Sequence, residues 1–341
     1  MDLPISGMCR IIFSSQKKNQ QKELKMFKKL FLPVGLLLSV IISMIFPQLG
    51  TQVKQIFGSS LFILLIFLVC GYQTDFSGTK FNKSFLLSFL VCGVLSLLAA
   101  PWLGVGIARV FQLDKLAMTG LIVMACVPPT LSSGIVMTET AEGNIMLGVM
   151  MTVFYNLLGV LTMPLVVTWT LASKTDIDTN PLKMFIQLLL LVVLPFAVGF
   201  GLKKLLKRKL PSFCGYIPSA CVILLILSFF SSANAQFKAY PVKFLLLIAA
   251  AGLLMRVGLM LILWFGGVFT KMNSADRKAA IFTAGSKTLT IALAILAILD
   301  VGNGPAVIPC MVFYFLQSMI DSALAGKMGL SAAKKREAEN A

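Results

Sequence analysis

The sequence predicts an all-α polytopic membrane protein in which ten transmembrane helices form two inverted five-helix repeats. Three observations favour this fold: the composition, a row of ten apolar segments, and two polar interruptions at matching places in the two halves. Of the 341 residues, 58% are hydrophobic and 13% are charged. This composition lies far outside the range of soluble globular domains and indicates an integral membrane protein.

Ten apolar segments of membrane-spanning length follow one another along the chain. We place them at residues 27–46, 56–72, 84–105, 116–138, 145–171, 183–202, 214–232, 244–268, 279–299 and 305–325. The chain then divides into a basic tail (1–26), a first repeat (27–172), a second repeat (173–326) and a C-terminal tail (327–341). Because five is odd, the second repeat enters the membrane from the opposite side, which makes the repeat inverted.

Most of the lysines and arginines between the segments fall on one side of the membrane if the N-terminus is cytoplasmic. Positively charged loops stay on the cytoplasmic side, so the sequence predicts cytoplasmic N- and C-termini in a plasma or inner membrane. The formal net charge is +17, but the basic residues lie in short loops rather than on a recognition module. We therefore expect a lipid bilayer and no nucleic acid as a partner.

The fourth segment is interrupted at its centre by two adjacent prolines. Pro128 and Pro129 have no backbone N–H, so the carbonyls of Met124 and Ala125 lose their helical donors. Irregular backbone at membrane depth is tolerated where protein or water satisfies it, and it often holds the ion or substrate of a secondary transporter. The interruption is therefore a candidate site.

The ninth segment, which is the fourth of the second half, carries a polar group of residues from Gly285 to Thr290. Matching interruptions in two halves are the best sequence indication of a transporter site. Hydroxyls and freed carbonyls are hard oxygen ligands that suit sodium, although a single Ser or Thr equally often bonds the carbonyl four residues earlier. The candidate ion- and substrate-binding residues are Met124, Ala125, Thr130, Ser132, Ser133, Thr152, Thr283, Ser286, Lys287 and Thr288. Sodium is expected, if bound, at Ser133, Thr283 and Thr288.

Two cationic residues, Arg256 and Lys287, lie inside predicted spans, while no Asp or Glu falls at the middle of one. A charge at the bilayer centre costs on the order of 3 kcal/mol, so each cation needs a partner or a path to water. Arg256 either pairs with an anionic substrate or is satisfied by snorkelling and helix-end carbonyls. Lys287 either stands where a coupling cation would bind and exchanges a proton, or pairs with an anionic substrate.

The chain contains no histidine, and its seven cysteines form no CxxC pair. Histidine metal sites and histidine proton relays are therefore excluded, and the cysteines are expected to be reduced and structural. We expect no cofactor apart from sodium. An intramembrane enzyme is disfavoured because there is no embedded Asp pair and no recognisable nucleophile motif.

The two interruptions resemble the bile acid/sodium symporter superfamily, in the branch that contains solute carrier family 10 member 7 and its bacterial relatives. The resemblance is carried by VPPTLSSGIVMTETAEGN with NLLGVLTMPLV and by GSKTLTIALAIL, and it extends over about residues 27–326. It implies a core domain of segments three to five and eight to ten, built around two crossing, broken helices. Segments one, two, six and seven would form a panel domain packed on that core.

The resemblance also implies which residues replace the sodium ligands of the better known members. Ser133 and Gly134 match a Ser-Asn pair, Thr283 matches a glutamate, and Lys287 with Thr288 match Gln-Asn. We therefore expect a secondary transporter that moves a small organic anion by alternating access, coupled to sodium or to protons. The alternative is a membrane regulator of ion homeostasis, calcium in particular, that keeps the fold and transports little.

Overall fold

The computed structural model describes residue 31 and residues 34–74, 83–172, 180–208, 211–234, 240–301 and 305–339. The predicted basic tail lies outside the described residues, and so do residues 27–30 of the first predicted span. Every regular element in the described part of the chain is a helix. The all-α prediction is confirmed to this extent.

The helices follow the predicted segments in order, with π turns inside three of them. They are α1 (Val34–Ile45), α2 (Pro47–Gln73), α3 (Lys83–Val94) joined through the π turn Leu95–Ala99 to α4 (Ala100–Val110), α5 (Lys115–Cys126), α6 (Ser133–Thr140), α7 (Ile145–Ala172), α8 (Pro181–Leu188) joined through Leu189–Val193 to α9 (Leu194–Leu206), α10 (Ile217–Ser232), α11 (Val242–Phe269), α12 (Ser274–Ala279) with the π turn Ala280–Ala284, α13 (Leu289–Ile298) and α14 (Val307–Glu339). A 3-10 turn, Ser212–Tyr216, precedes α10.

Eight helical stretches among the described residues are long and apolar enough to cross a membrane. They are Pro47–Gln73, Phe85–Val110, Ile145–Leu171, Pro181–Leu206, Phe213–Ser232, Val242–Phe269, Ser274–Ile298 and Val307–Ala332. The first and fourth predicted segments contain shorter apolar helices, α1 and α5. The chain is thus a helical polytopic membrane protein.

The stretch Ser274–Ile298 differs from the other long apolar stretches in how much of it is enclosed by protein. In its most apolar 18-residue window, 89% of the residues are buried, against 28% for Pro47–Gln73. Lipid replaces water around the outer helices, so exposed leucines and phenylalanines there are expected. The ninth segment therefore lies at the centre of the molecule, where its irregular backbone is shielded from lipid.

Close backbone packing holds α2 against α9. A Cβ on Gly71 would lie 2.1 Å from the carbonyl oxygen of Phe196, and a Cβ on Gly199 would lie 2.0 Å from that of Leu68. Any larger side chain at either position would force the helices apart, as is usual where small residues bring membrane helices together. A Cβ on Gly50 of α2 would likewise lie 2.4 Å from the carbonyl oxygen of Leu227 in α10. The helices α2, α9 and α10 therefore form one packed group beside the two interrupted segments.

Candidate ion and substrate site

The first interruption lies between α5 and α6, where residues 127–132 are not helical. The Thr130 hydroxyl oxygen accepts the backbone N–H of Gly134 at 3.0 Å and the Ser133 hydroxyl at 2.9 Å. Thr130 lies two residues before the N-cap residue Ser132, whose side chain makes no capping bond, and its hydroxyl satisfies one N–H group of α6 locally. Asn156 of α7 donates its side-chain amide to the Pro129 carbonyl at 3.0 Å.

The second interruption follows the π turn Ala280–Ala284, and helix resumes only at Leu289. Gln317 of α14 satisfies both backbone groups of Lys287 there. The Lys287 N–H donates to Gln317 Oε1 at 2.8 Å, and Gln317 Nε2 donates to the Lys287 carbonyl at 3.1 Å. The side-chain amide thus replaces the two helical partners that the unwound residue lacks.

The two interruptions contact one another through backbone and hydroxyl groups. The Thr288 N–H donates to the Pro128 carbonyl at 3.1 Å. The Thr130 and Ser286 hydroxyl oxygens lie 3.1 Å apart, and the Thr130 N–H donates to Ser286 Oγ at 3.3 Å. Ser286 in turn donates to the Thr283 carbonyl at 2.8 Å. A continuous hydrogen-bond network therefore joins the two segments.

Close packing brings α6 against the π turn beside this network. The hydroxyl oxygens of Thr138 and Thr283 lie 3.0 Å apart. A Cβ on Gly134 would lie 2.9 Å from the Phe282 carbonyl oxygen and 3.1 Å from the Ser286 hydroxyl oxygen. Only glycine fits at residue 134 without displacing the second segment.

The Lys287 side chain is fully buried and crosses from the second interruption to the first. Its Nζ donates to the Val127 carbonyl at 3.0 Å and to the Ser96 carbonyl at 2.7 Å. Both acceptors belong to irregular backbone: Val127 lies in the first interruption, and Ser96 lies in the π turn between α3 and α4. The ammonium group therefore joins three irregular segments of backbone.

A proline explains why the Ser96 carbonyl is free to accept the ammonium. In a π turn each carbonyl accepts from the residue five positions later, as Leu95 does from Ala100. For Ser96 that residue is Pro101, which has no N–H. The Ser96 hydroxyl also donates to the Ala284 carbonyl at 2.6 Å, which ties this π turn to the second interruption.

The Arg256 side chain is fully buried in α11, and its donors are directed at protein atoms. Nε donates to Asp321 Oδ1 at 2.8 Å, and Nη2 approaches the same oxygen at 2.5 Å. Nη2 also donates to the Ile281 carbonyl at 3.3 Å, and Nη1 donates to the Gly285 carbonyl. Arg256 thus holds the backbone of the second interruption and has a carboxylate partner within the chain.

The expectation that no carboxylate falls at the middle of a span, with Asp321 only near the end of the tenth, is corrected by this pair. The tenth segment was predicted to end at residue 325, but α14 continues to Glu339. Asp321 is therefore well inside the helix and is 4% exposed. A buried arginine requires such a partner, which is why the acidic residue lies at this depth.

The predicted site residues fall into three sets. Six of them, Thr130, Ser133, Thr283, Ser286, Lys287 and Thr288, lie where the interruptions meet. Ser132 and Thr152 line a cavity of 330 Å³ beside the first interruption. Met124 and Ala125 are fully buried in α5 within the hydrophobic core.

The 330 Å³ cavity lies between the helices α2 and α9 on one side and the first interruption on the other. Its lining includes Cys70 and Gln73 of α2, Phe196 of α9, and Ser132 and Thr152. Thr152 Oγ1 is buried and has no hydrogen-bond partner within the described part of the protein. No lysine, arginine, aspartate or glutamate is among the lining residues that the structure describes. The cavity is thus apolar with a few hydroxyl and amide groups.

A second, much smaller cavity of 20 Å³ lies between the two interruptions and α10. Thr130, Ser133, Thr288, Thr290 and Tyr314 all line it. This volume holds about one water-sized particle, and its lining is rich in hydroxyl oxygens. Among the described residues, no group of three or more His, Cys, Asp or Glu residues is placed to hold a metal ion.

Sequence reasoning missed Ser96, Gln317 and the role of Asp321. Pro101, inside the third span, was an available signal for Ser96, because a proline frees a carbonyl in the preceding turn. Gln317 carries a polar side chain in an apolar segment, which is an expensive placement in a membrane and thus also a signal. The partners of these residues are distant in sequence, and the sequence alone did not indicate them.

Residues 31–329 match the SBF-like CPA transporter family. The chain belongs to this family. Its curated relatives include the Probable sodium/metabolite cotransporter BASS4, chloroplastic, of Arabidopsis thaliana, which is 26% identical over 94% of this chain and 77% of that protein. Sodium/bile acid cotransporter 7 of Mus musculus is 25% identical over 66% of this chain and 68% of its own length. The resemblance noted from the two interruptions is confirmed.

Because the chain belongs to a transporter family, its interrupted segments can be compared with those of secondary transporters. The family match covers both interruptions, α11 with Arg256 and α14 as far as residue 329. Ser96, Arg256, Lys287, Gln317 and Asp321 therefore all fall within the matched region. In secondary transporters such segments hold the coupling ion or the substrate, and the described geometry offers both an ammonium group and hydroxyl oxygens at this place.

Proposed function

We propose that this protein is a cation-coupled secondary transporter that moves a small organic solute by alternating access. In this proposal the ten spans form two inverted repeats, and the segments α5–α6 and α12–α13 are the broken helices that cross at the site. The α2–α9–α10 group acts as a panel, and the interrupted segments with α11 and α14 act as a core. Family membership and the contact between the two interruptions support it.

The observation that carries the proposal is the position of the Lys287 ammonium group on two carbonyl oxygens of irregular backbone, 2.7 and 3.0 Å away. A cation surrounded by freed carbonyls is the usual arrangement at the broken helices of ion-coupled transporters. We infer that Lys287 takes the place of one coupling cation. Proton exchange at Nζ during the transport cycle then provides the coupling.

Sodium coupling is the second candidate, and the 20 Å³ cavity favours it. Ser133 and Thr288, two of the three predicted sodium ligands, line this cavity, whereas Thr283 instead contacts Thr138. The relatives named above are described as sodium cotransporters. The hydroxyl oxygens are hard ligands of the kind that suits sodium, but all are uncharged, so a sodium ion held here would bind weakly.

For the substrate we propose the 330 Å³ cavity, whose volume suits a small organic molecule. The apolar lining would contact the body of the solute, and the hydroxyls of Ser132 and Thr152 would contact its polar group. The anionic charge predicted from the sequence would be met by these hydroxyls as donors. Arg256 and Lys287 do not line the cavity, and their nitrogens are bonded to protein oxygens.

Alternating access is tested with the native Cys70 as the only cysteine, because its side chain lines the substrate cavity. In proteoliposomes, the rate at which an impermeant maleimide labels Cys70 should change when sodium or pH is changed, since the cavity opens and closes with the coupling ion. The matched control retains only Cys214, which lies in the 3-10 turn outside the cavity. Its labelling rate should stay constant.

Equal labelling of Cys70 under every ionic condition would contradict alternating access and would favour the alternative of a regulator that transports little. The coupling role is tested by Lys287→Met in an uptake assay over a panel of small organic acids. We expect the pH dependence of uptake to disappear, because the variant has no proton to exchange. Uptake that keeps both its rate and its pH dependence would contradict a role for Lys287.

A further inference from the structure

A third cavity lies apart from the interrupted segments, at the end of the molecule where α11 stops and α12 begins. Its volume is 520 Å³, and its lining includes Trp264 of α11, Ser274, Arg277 and Lys278 of α12, Ile281, and Ser331 of α14. The transporter site described above does not use this cavity. Here α11 and α14 meet the start of the ninth span.

The polar side of the cavity carries Arg277 and Lys278, and none of its described lining residues is acidic. Among the described residues, neither Arg277 nor Lys278 has a carboxylate partner within ion-pairing distance. The nearby Asp276 is buried and accepts the side-chain amides of Asn144 at 2.7 Å and Asn273 at 2.9 Å. Each of its carboxylate oxygens thus already accepts a side-chain amide.

The opposite side of the cavity is apolar. Trp264 is 43% exposed near the end of a membrane-spanning helix, which is where tryptophan anchors a protein at the lipid headgroups. Ile281 and Met328 complete this side. Exposed serine hydroxyls at residues 274 and 331 lie at the rim, where they can donate hydrogen bonds. The cavity therefore combines two cations, two hydroxyls and an apolar wall.

We propose that this cavity binds an anionic phospholipid, with the headgroup phosphate between Arg277 and Lys278 and an acyl chain along Trp264. Guanidinium and ammonium groups are the usual phosphate ligands, and basic pockets between membrane helices bind anionic headgroups. A bound lipid would connect α11, α12 and α14. Because the Ile281 carbonyl accepts Arg256, the lipid would also support the second interruption.

The test measures the melting temperature of the protein in a neutral detergent while phosphatidylglycerol is added to the micelles. A lipid that binds the folded state raises the melting temperature, and phosphatidylcholine is the zwitterionic control. The double variant Arg277→Gln/Lys278→Gln should bind phosphatidylglycerol roughly 30-fold more weakly, as two lost cations at a membrane surface imply. The matched variant Lys204→Gln/Arg208→Gln removes two exposed charges elsewhere and should bind within about threefold of wild type.

Three results would overturn the proposal. The first is unchanged phosphatidylglycerol binding in Arg277→Gln/Lys278→Gln. The second is an equal loss in Lys204→Gln/Arg208→Gln, which would indicate attraction to net charge alone. The third is equal stabilisation by soluble glycerol 3-phosphate, which would make the ligand a free phosphate ester instead of a lipid. None of these results depends on whether the protein transports a solute.

Discussion

The two interruptions satisfy their backbone in different ways. At the first, Pro128 and Pro129 remove two N–H groups, and the hydroxyl of Thr130 satisfies one N–H group of the helix that follows. The second contains no proline. Its unwound residue Lys287 lacks helical partners for both its N–H and its carbonyl, and Gln317 of α14 satisfies both. The first interruption is satisfied by its own Thr130, by Asn156 and by donors of the second interruption, whereas the second depends on side chains from several neighbouring helices.

This difference explains the distribution of buried polar residues around the site. Arg256, Gln317 and Ser96 all bond to backbone of the second segment, from three different helices. At the first interruption, Asn156 of α7 has a comparable role, and the further donors, Lys287 and Thr288, come from the second interruption itself. Long polar side chains inside a membrane protein are costly, so they are expected where backbone groups cannot be satisfied locally. Substitutions should therefore affect the second interruption more than the first.

The largest effect is expected for Asp321→Ala. Removing one partner of a buried ion pair leaves Arg256 uncompensated and should lower the free energy of unfolding by about 3–5 kcal/mol. Replacing both partners, as in Arg256→Met/Asp321→Leu, should recover a large part of this loss. Reversible denaturation in mixed micelles measures both variants, and a double variant no more stable than Asp321→Ala would contradict the assigned pairing.

The next largest effect is expected for Gln317→Leu, which leaves the buried N–H and carbonyl of Lys287 unpaired. The loss should be about 2–4 kcal/mol, because two buried groups are left unsatisfied at about 1–2 kcal/mol each. The matched change at the first interruption is Asn156→Leu, for which we expect about 1 kcal/mol, since it affects only carbonyl acceptors. Equal losses in the same denaturation assay would remove the distinction between the two interruptions.

A smaller effect is expected for Gly134→Ala, which tests the contact between the interruptions. The added methyl group would lie 2.9 Å from the Phe282 carbonyl oxygen, so the two segments must move apart, at about 1–3 kcal/mol. Gly106→Ala is the control, because nothing lies within 4 Å of its Cβ position. That variant should match or exceed the melting temperature of wild type, and a comparable loss in both variants would count against the close contact.

The smallest effect on stability is expected for Thr152→Val. Its hydroxyl has no partner, so removing it should leave the protein as stable as wild type or more stable by about 1 kcal/mol. Thr138→Val, which loses hydrogen bonds to Gly134 and Thr283, should instead be destabilised by about 1–2 kcal/mol. If Thr152 contacts the solute, Thr152→Val should raise the KM of uptake without lowering stability.

The position of the first interruption could be predicted from the sequence more precisely than that of the second. Adjacent prolines have one structural consequence wherever they occur, so Pro128 and Pro129 located the end of α5 to within a few residues. The second segment was predicted to start at residue 56. The helical stretch starts earlier, at Pro47, because proline is well suited to a first helical turn, but Gly58 breaks it with a φ of +67°, close to the predicted start. This preference of proline can be read from the sequence and could have indicated the earlier start.

The partners of the second interruption could not be predicted because they depend on tertiary packing. Lys287 was recognised as a buried cation, but its acceptors, Ser96 and Val127, are separated from it by 191 and 160 residues. The pairing of Arg256 with Asp321 required knowing that α14 extends beyond residue 325. The inverted repeat, the division of the chain at residue 172 and the cytoplasmic termini stay predictions.

The central claim is that the Lys287 ammonium takes the place of a coupling cation, and one measurement tests it most directly. The melting temperatures of wild type and Lys287→Ala are compared in matched series of sodium and potassium chloride at several pH values. An ion that binds the folded state raises stability in proportion to RT ln(1 + [L]/Kd), so even a weak site is detected at high salt. We predict that wild type melts equally in both salts, whereas sodium selectively stabilises Lys287→Ala by occupying the vacated carbonyls. Selective stabilisation of wild type by sodium, with no greater effect in Lys287→Ala, would contradict the claim and assign the coupling ion to the hydroxyl-lined cavity.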